Sequence, residues 1–562
     1  MPNSVELQTS PSEPRSAPAF IDGDDPLAAA FGTASDLIAW HAHRAPTRPA
    51  LVDAAGGAAR PHDPGSSHRL TYAELDRLMT RIAVALQADG AGKGDSIAIL
   101  AAPSAAAAAV FLGGLRAGVA VAPLAPGTAP DALARMLADS GARWLFVDAS
   151  TADALPPGSF RRIAVDNAIG EIPSLADWLA SADRAGVTFT PPVIAPDDPF
   201  NIIYSSGTTG TPKGIVQPHR MRWSHMQRGR PYGYRPGGVT VIATPLYSNT
   251  TLVCFFPTIA FGGTVVLMAK FGVEPYLALC QAWRATHTML VPVQYQRLMA
   301  NPGFEAHDLS AFVTKFCTSA PFPAALKADV LARWPGGLVE FYGMTEGGGT
   351  CILEAHRHPD KLDTVGRPAV GSDIRLIDEQ GREVARATDA GVAPLAAVGL
   401  AGEVVGRSGG MMVGYHGQPE RSREAEWFDA DGQRFIRTGD IGRFDADGFL
   451  TLFDRRKDMI ISGGFNLYPS DLEAVLMQHP DVVEAAVVGV PSAEWGESPA
   501  GFIVLREPVA DGAARAVLAW FNGRVGKTQR LVSLQVLPEL PRSAIGKVLK
   551  RELRDLPRHS AG

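Results

Sequence analysis

Apolar positions recur along this chain in two alternating rhythms. Leu75, Leu78, Met79, Ile82 and Leu86 fall at the spacing of one helix face, and the preceding Thr71-Tyr72-Ala73-Glu74 has the spacing of a capping box. The short uncharged run Ser96–Leu100 that follows predicts a buried strand. Similar runs rich in β-branched residues return at 144–147, 200–204, 239–243, 264–268 and 288–291, with helical patterns between them. That alternation predicts mostly parallel sheets covered by helices.

Near Arg434 the rhythm changes. Two apolar runs, 441–444 and 449–453, flank Asp445-Ala446-Asp447-Gly448, a hairpin signal that ends in the charged cluster Asp454-Arg455-Arg456-Lys457-Asp458. A domain boundary is expected there. Beyond it, Ser470-Asp471-Leu472-Glu473 repeats the capping-box spacing, and apolar runs follow at 482–490, 501–505 and 531–537. The expected fold class is therefore α/β plus α+β. A large domain of helix-covered, mostly parallel sheets spans 26–456, a smaller α+β domain spans 457–562, and a polar tail occupies 1–25.

Composition narrows the function classes. A chain of 562 residues, 46% apolar, exceeds one ordinary core, and a formal charge of −6 offers no broad field for nucleic acid. Cys254, Cys280, Cys317 and Cys351 are widely spaced with no CxxC pair, so neither a disulfide framework nor a zinc site is indicated and a reducing cytoplasm fits. The first twenty residues are polar and proline-rich without an apolar core, unlike a signal peptide. Residues 97–115 carry no charge and have the length of a membrane span, yet they are dominated by Ala and Gly, contain Pro103 and abut Arg116. A strand and helix of a packed core is expected there, and no membrane span.

The chemistry begins at Tyr204-Ser205-Ser206-Gly207-Thr208-Thr209-Gly210-Thr211-Pro212-Lys213-Gly214, which follows a predicted strand. Glycines allow backbone N–H groups to approach phosphate oxygens, hydroxyls add donors and Lys213 adds charge, so the loop reads as a phosphate cradle. It is not a Walker A loop, which requires GxxxxGK[ST]. The segment resembles the signature loop of the adenylate-forming superfamily of acyl-CoA synthetases, luciferases and nonribosomal peptide adenylation domains. Four further segments match motifs of that superfamily in its order: Phe341-Tyr342-Gly343-Met344-Thr345-Glu346, Arg437-Thr438-Gly439-Asp440, Asp454 to Asp458 through Ser462-Gly463-Gly464, and Pro541-Arg542-Ser543-Ala544-Ile545-Gly546-Lys547. Together they cover the chain from about Leu70 to Arg554.

The resemblance implies ATP, Mg²⁺ and coenzyme A as cofactor and cosubstrates, and a small carboxylic acid as substrate. It gives Glu346 the metal, a role suited to a carboxylate beside ATP phosphates, and counts Thr345 with the catalytic residues. Ser205, Ser206, Gly207, Thr208, Thr209, Gly210, Thr211 and Lys213 would hold phosphates. Tyr342 and Gly343, with Ser319-Ala320-Pro321, would hold adenine, and Asp440 supported by Arg455 would hold the ribose. Read alone, the same residues also fit a solvated turn, a core aromatic and a structural ion pair. Lys547 would stabilise charge at the α-phosphate while pyrophosphate leaves, and Lys457 would be the hinge about which a mobile C-terminal domain swings.

For the second half-reaction, Ser462, Gly463, Gly464 and Phe465 match a loop lining the thiol channel, with Trp495 near the pantetheine arm or simply packed. The acyl pocket is expected at Tyr247, Ser248, Asn249, Phe255, Phe256, Cys317, Phe322, Gly347 and Gly348, where Gly347-Gly348-Gly349 suggests room for a ring or chain. Many acyl- and aryl-CoA ligases carry histidine where this chain has Ser248, so orientation of the acid should differ. The expected reaction is ATP-dependent activation of an aromatic, alicyclic or medium-chain fatty acid and its transfer to coenzyme A. A carrier-protein-loading enzyme and a non-catalytic nucleotide-binding regulator are the alternatives, and a homodimer is left open.

Overall fold

The computed structural model describes residues 25–54, 69–156, 158, 160–205, 213–389, 391–392, 399–455, 458–462, 465–492, 495–506, 512–543 and 547–556. Among these the strands form four sheets. The first has nine strands, six of them parallel: Gly337–Tyr342, Thr314–Cys317, His287–Leu290, Val239–Ile242, Thr264–Leu267 and Pro49–Asp53. The second has seven, with Pro199–Ser205, Ala120–Pro123, Ser96–Leu100, Trp144–Val147 and Arg161–Ala164 parallel. Its other edge is antiparallel, through Lys213–Pro218 and Gly414–Tyr415.

The six strands predicted from hydrophobic runs before residue 300 all form, each within a residue of the expected ends. Their full burial on both faces, as in Ser96–Leu100, is what made them continuous apolar runs. Thr71 and Glu74 close the expected capping box on helix Tyr72–Ala88, and Tyr72, Leu75, Met79, Ile82 and Leu86 are buried beneath it. Residues 97–115 contribute strand Ser96–Leu100 and helix Ala105–Ala117, both inside the main core. No helix among the described residues is long and apolar enough to cross a membrane.

The third sheet was not anticipated: Asp373–Ile377, Glu383–Thr388, Ala401–Arg407, Arg434–Phe444 and Leu450–Arg455 pair antiparallel. The hairpin read from the sequence is its last pair; the identical Asp429-Ala430-Asp431-Gly432 turn, which joins Glu426–Phe428 to Arg434–Phe444, carries the same signal and was passed over. The fourth sheet, built from Ile460–Ser462, Phe465–Leu467, Val482–Ser492, Gly496–Leu505 and Ser533–Val536, is the core of the C-terminal unit. The second expected capping box is absent. The helix begins at Pro469, Ser470 Oγ donates instead to the Phe453 carbonyl, and Glu473 accepts from Val487 N at 2.7 Å. Residues 1–24 of the expected tail and the expected hinge residue Lys457 lie outside the described residues.

Helix Ala324–Arg333 is tied to strand Gly337–Tyr342 of the first sheet by a buried charge pair. Lys327 Nζ lies 2.5 Å from Glu340 and donates to the carbonyls of Leu362 and Thr364 at 2.8 and 3.1 Å. Burial pushes the Glu340 carboxyl up, to about 7, against the attraction of the ammonium. Replacing Lys327 by Ala strands a buried carboxyl and two carbonyls, and is expected to cost about 3–5 kcal/mol in a denaturant melt. The double substitution Lys327→Met with Glu340→Leu should recover most of that loss.

Candidate active site

The parallel strands deliver their following loops to one crevice, the arrangement that places ligands at the carboxyl ends of strands in open α/β sheets. The crevice holds a cavity of about 1000 Å³ lined by Tyr204, Lys213, Tyr247, Thr318, Ser319, Tyr342, Thr345 and Glu346. Lys547 from the C-terminal unit lines the same cavity, between Ser543 and Leu549. Segments almost 350 residues apart in the chain thus converge on one space.

At one wall, Tyr342 OH donates to Asp440 at 2.8 Å, and the Asp440 backbone N–H is held by Thr438 Oγ1 at 3.0 Å. Burial and then the Asp440 charge hold the Tyr342 phenol well above its ordinary range, so it stays a donor. Arg455 sits opposite Asp440 in the antiparallel register. Ser319 adopts a left-handed φ of 84°, uncommon for a residue with a side chain, and its hydroxyl meets Thr250 Oγ1 at 2.5 Å. Gly343 also lines this wall, whereas Ala320 and Pro321 do not line the cavity.

The sequence did not single out Tyr415. Its hydroxyl donates to Glu346 Oε1 at 2.9 Å, and Lys213 Nζ lies 5.0 Å from its ring centroid. Burial and the neighbouring carboxylate push the Tyr415 phenol far up, keeping the bond phenol-to-carboxylate. Tyr415 comes from strand Gly414–Tyr415, which pairs with the strand carrying Lys213, so sheet pairing places Tyr415 beside Lys213, and the turn after Gly337–Tyr342 brings Glu346 to it. Gln217, also unforeseen, donates to the Thr345 carbonyl at 2.6 Å while its own carbonyl oxygen accepts from the fully buried Arg222.

The acyl-pocket expectations need correction. In helix Asn249–Ala260, Asn249, Val253 and Pro257 line the cavity, as the i, i+4, i+8 spacing of one helix face requires. Phe255 and Phe256 are turned from that face into the main core, Phe256 with its ring 5.0 Å from Phe200. The same reasoning reverses Cys317: strand Thr314–Cys317 points Phe316 at the cavity, so Cys317 faces away and is fully buried. Phe322 packs against Tyr295 in a second core cluster, which also holds Cys317. Tyr247 and Ser248 do line the cavity, but Ser248 is also the N-cap of the helix, its Oγ accepting from Thr250 N at 3.3 Å. A hydroxyl there serves the helix terminus.

The three glycines do not make room for substrate; they let backbones touch. A Cβ on Gly347 would stand 1.9 Å from the Gly410 carbonyl oxygen, and one on Gly348 would stand 2.8 Å from that of Gly406. Gly347 remains at the cavity edge, whereas Gly348 does not line it. In the C-terminal unit, Ser462 is buried between Phe465 and Gly496 in the sheet register, and Trp495 has Lys527 Nζ 5.4 Å from its ring; neither lines the cavity. Residues 206–211, Lys457, Gly463 and Gly464, and the side chains of Ser205, Arg455 and Phe465, lie outside the described residues.

Gly347 has φ +74° as well as the backbone contact, so Gly347→Ala is expected to cost about 3 kcal/mol or more. Gly432→Ala, with φ +73° but open space around it, is expected to cost only about 1 kcal/mol. Denaturant midpoints of the two variants check the difference.

The comparisons with known proteins agree with this geometry. The AMP-binding enzyme family matches residues 38–416, and the AMP-binding enzyme C-terminal domain matches 471–547. The chain is 33% identical over 500 residues to a feruloyl-CoA synthase from Amycolatopsis, covering 86% of this chain and 93% of that protein. It is 30% identical over 535 residues to a fatty acid–[acyl-carrier-protein] ligase from Streptomyces coeruleorubidus, covering 93% and 96%. The crystal structure of ATP-bound MatB from Rhodopseudomonas palustris superposes with a TM-score of 0.78 at 28% identity, over 93% of this chain and 99% of that one. With one family model across most of the large domain and its companion across the small one, the chain belongs to the AMP-binding, adenylate-forming enzymes, in their acyl-CoA synthetase branch.

Proposed function

We propose that this protein is an AMP-forming acid–thiol ligase: it activates a carboxylic acid with ATP as an acyl-adenylate, releases pyrophosphate, and transfers the acyl group to coenzyme A. The observation that carries the reading is the single cavity shared by Lys213, Thr345, Glu346 and Lys547 and continuous with a mostly apolar recess at Val253, Pro257, Phe316 and Phe341. One end suits a polyphosphate, the other an acyl chain or ring.

In the adenylation step, Tyr342 offers its ring face to adenine while its hydroxyl steadies Asp440 for the ribose hydroxyls. Glu346 keeps one carboxylate oxygen on Tyr415 and leaves the other for Mg²⁺, which fits a metal held by one carboxylate and the ATP phosphates. The metal would neutralise phosphate charge. Lys213 and Lys547 add cationic groups to the phosphate end, and Lys547 acts on the charge that builds at the α-phosphate as pyrophosphate departs. The Thr345 backbone is fixed by Gln217, so the hydroxyl beside Glu346 is presented from a braced turn. Thioester formation assigns Ser462, Gly463, Gly464 and Phe465 to the thiol's approach after a swing about Lys457.

Loading of a carrier protein is the second reading, favoured by the 30% identity to the fatty acid–[acyl-carrier-protein] ligase. Parallel assays with free coenzyme A and with a phosphopantetheinylated carrier separate the two.

Pyrophosphate release across a panel of carboxylic acids tests the activity itself; no release with any acid overturns it. Lys547→Ala is expected to slow pyrophosphate release by about 10²- to 10³-fold. Given presynthesised acyl-adenylate and coenzyme A, the same variant should form thioester at near the parent rate. Equal loss of both half-reactions removes Lys547 from the adenylation step. Glu346→Gln should raise the Mg²⁺ concentration needed for half-maximal pyrophosphate release by at least about tenfold, a shift absent if Glu346 only braces Tyr415.

A further inference from the structure

The far end of the acyl recess is not purely apolar. Helix His219–Gln227 runs beside helix Asn249–Ala260, and Met221, His225 and Arg228, spaced along one face, all line the cavity. Both helices start near the phosphate end. Thr250 meets Ser319 at 2.5 Å, and a Cβ on Gly410 would lie 3.7 Å from Met221 and from His225 Nε2. Both also finish together, because a Cβ on Gly229 would stand 3.0 Å from Phe261 and 3.1 Å from Tyr234. Arg228 therefore caps the recess at the end remote from Thr345, about 10 Å along the helix from Thr250 to the level of Pro257.

Arg228 differs from the other cations of this region. Arg222, one and a half turns earlier, is fully buried but satisfied by Asn201, Gln217 and His225. Arg437, at the phosphate end, is paired with Glu403 at 2.5 Å. Among the described residues no hydrogen bond or ion pair reaches the Arg228 guanidinium, and the titratable group that acts on it is the Tyr232 phenol. Tyr232 lines the cavity too, and its hydroxyl likewise has no hydrogen-bond partner among the described residues. Burial holds the Arg228 pKa below the usual arginine range and pushes the Tyr232 phenol up, to about 12. A partly desolvated cation without a counter-charge is costly, and five N–H donors in a fixed fork match a carboxylate.

We infer that Arg228, assisted by the Tyr232 hydroxyl, receives a second carboxylate at the far end of the substrate, so that the acid activated is a dicarboxylic acid whose two carboxylates are separated by a ring or chain. The inference rests on the proposed acyl-activating function and names its substrate class. One carboxylate lies among Thr345, Lys547 and the nucleotide; the other pairs with Arg228. The walls between them, Val253, Pro257, Phe316 and Phe341, contact the apolar spacer.

The test is pyrophosphate release with α,ω-dicarboxylic acids of six to twelve carbons and with 4-carboxycinnamate, each against its matched monoacid and its distal monomethyl ester. For the best spacer length, kcat/KM for the diacid should exceed that for the monoacid and the ester by at least about 10²-fold. In Arg228→Leu this ratio should collapse to about one or invert, and Arg228→Lys should restore part of it. Tyr232→Phe should lower the ratio less, by about tenfold. If monoacids, esters and diacids are used equally well, or if Arg228→Leu lowers all three alike, the second-carboxylate site is wrong while the ligase activity stands. If no acid releases pyrophosphate, both fall.

Discussion

The site depends on one backbone-on-backbone contact, the seating of the 347–349 glycine turn against Gly406 of strand Ala401–Arg407 and against Gly410 in the connection that follows it. Gly348 N donates to the Gly410 carbonyl at 3.1 Å, and Met412 N donates to the Glu346 carbonyl at 2.8 Å. This is where three sheets meet. The turn leaves the nine-stranded sheet at Tyr342, Gly406 belongs to the antiparallel sheet, and the chain after Gly410 enters the sheet of Lys213 at Gly414–Tyr415. Any side chain at Gly347 would separate the layers, and Glu346 would part from Tyr415.

From that junction the polar chemistry is braced outward. Tyr415 holds Glu346, Gln217 holds the Thr345 carbonyl, and Arg222 behind Gln217 is held by Asn201. A buried network of this sort is costly where a member is left unpaired, as Asn201 Nδ2 is among the described residues, and its hydrogen bonds hold the turn in one position. The opposite side of the cavity is built differently. There two helices lying side by side line the recess with Met221, Val253 and Pro257, and the single guanidinium of Arg228 stands at its end. Braced polar groups face the end proposed for the nucleotide, and a guanidinium with no hydrogen-bond or ion-pair partner among the described residues faces the end proposed for the acid.

Local pattern was informative wherever a residue's environment follows from its neighbours in sequence. Strands buried on both faces are largely apolar, so the runs at 96–100, 144–147 and 239–243 announced themselves, as did the Thr71–Glu74 cap and the 445–448 hairpin. The motif residues Tyr342, Glu346, Lys213 and Lys547 were singled out from their glycine-rich turns, and the fold brings all four to one cavity. The antiparallel sheet of 373–455 was mostly missed, since its strands mix charged and apolar residues, as in Arg434–Phe444, and do not read as continuous apolar runs.

What the sequence by itself determined was composition-level and local: a large parallel α/β chain with a smaller α+β unit, an adenylate-forming chemistry, and the motif segments that line the cavity. Only the tertiary structure decided which face each residue presents. Phe255 and Phe256 lost the pocket to Val253 and Pro257 by a helical rotation of roughly 100° per residue. Cys317 lost it to Phe316 by one step of a strand, and Ser248 turned out to cap a helix. Tyr415, Gln217 and Arg228 became visible only when distant segments were brought together. Their roles reside in partners 69, 128 or more residues away, or in the lack of one among the described residues, and such relations are set by packing rather than by any stretch of sequence.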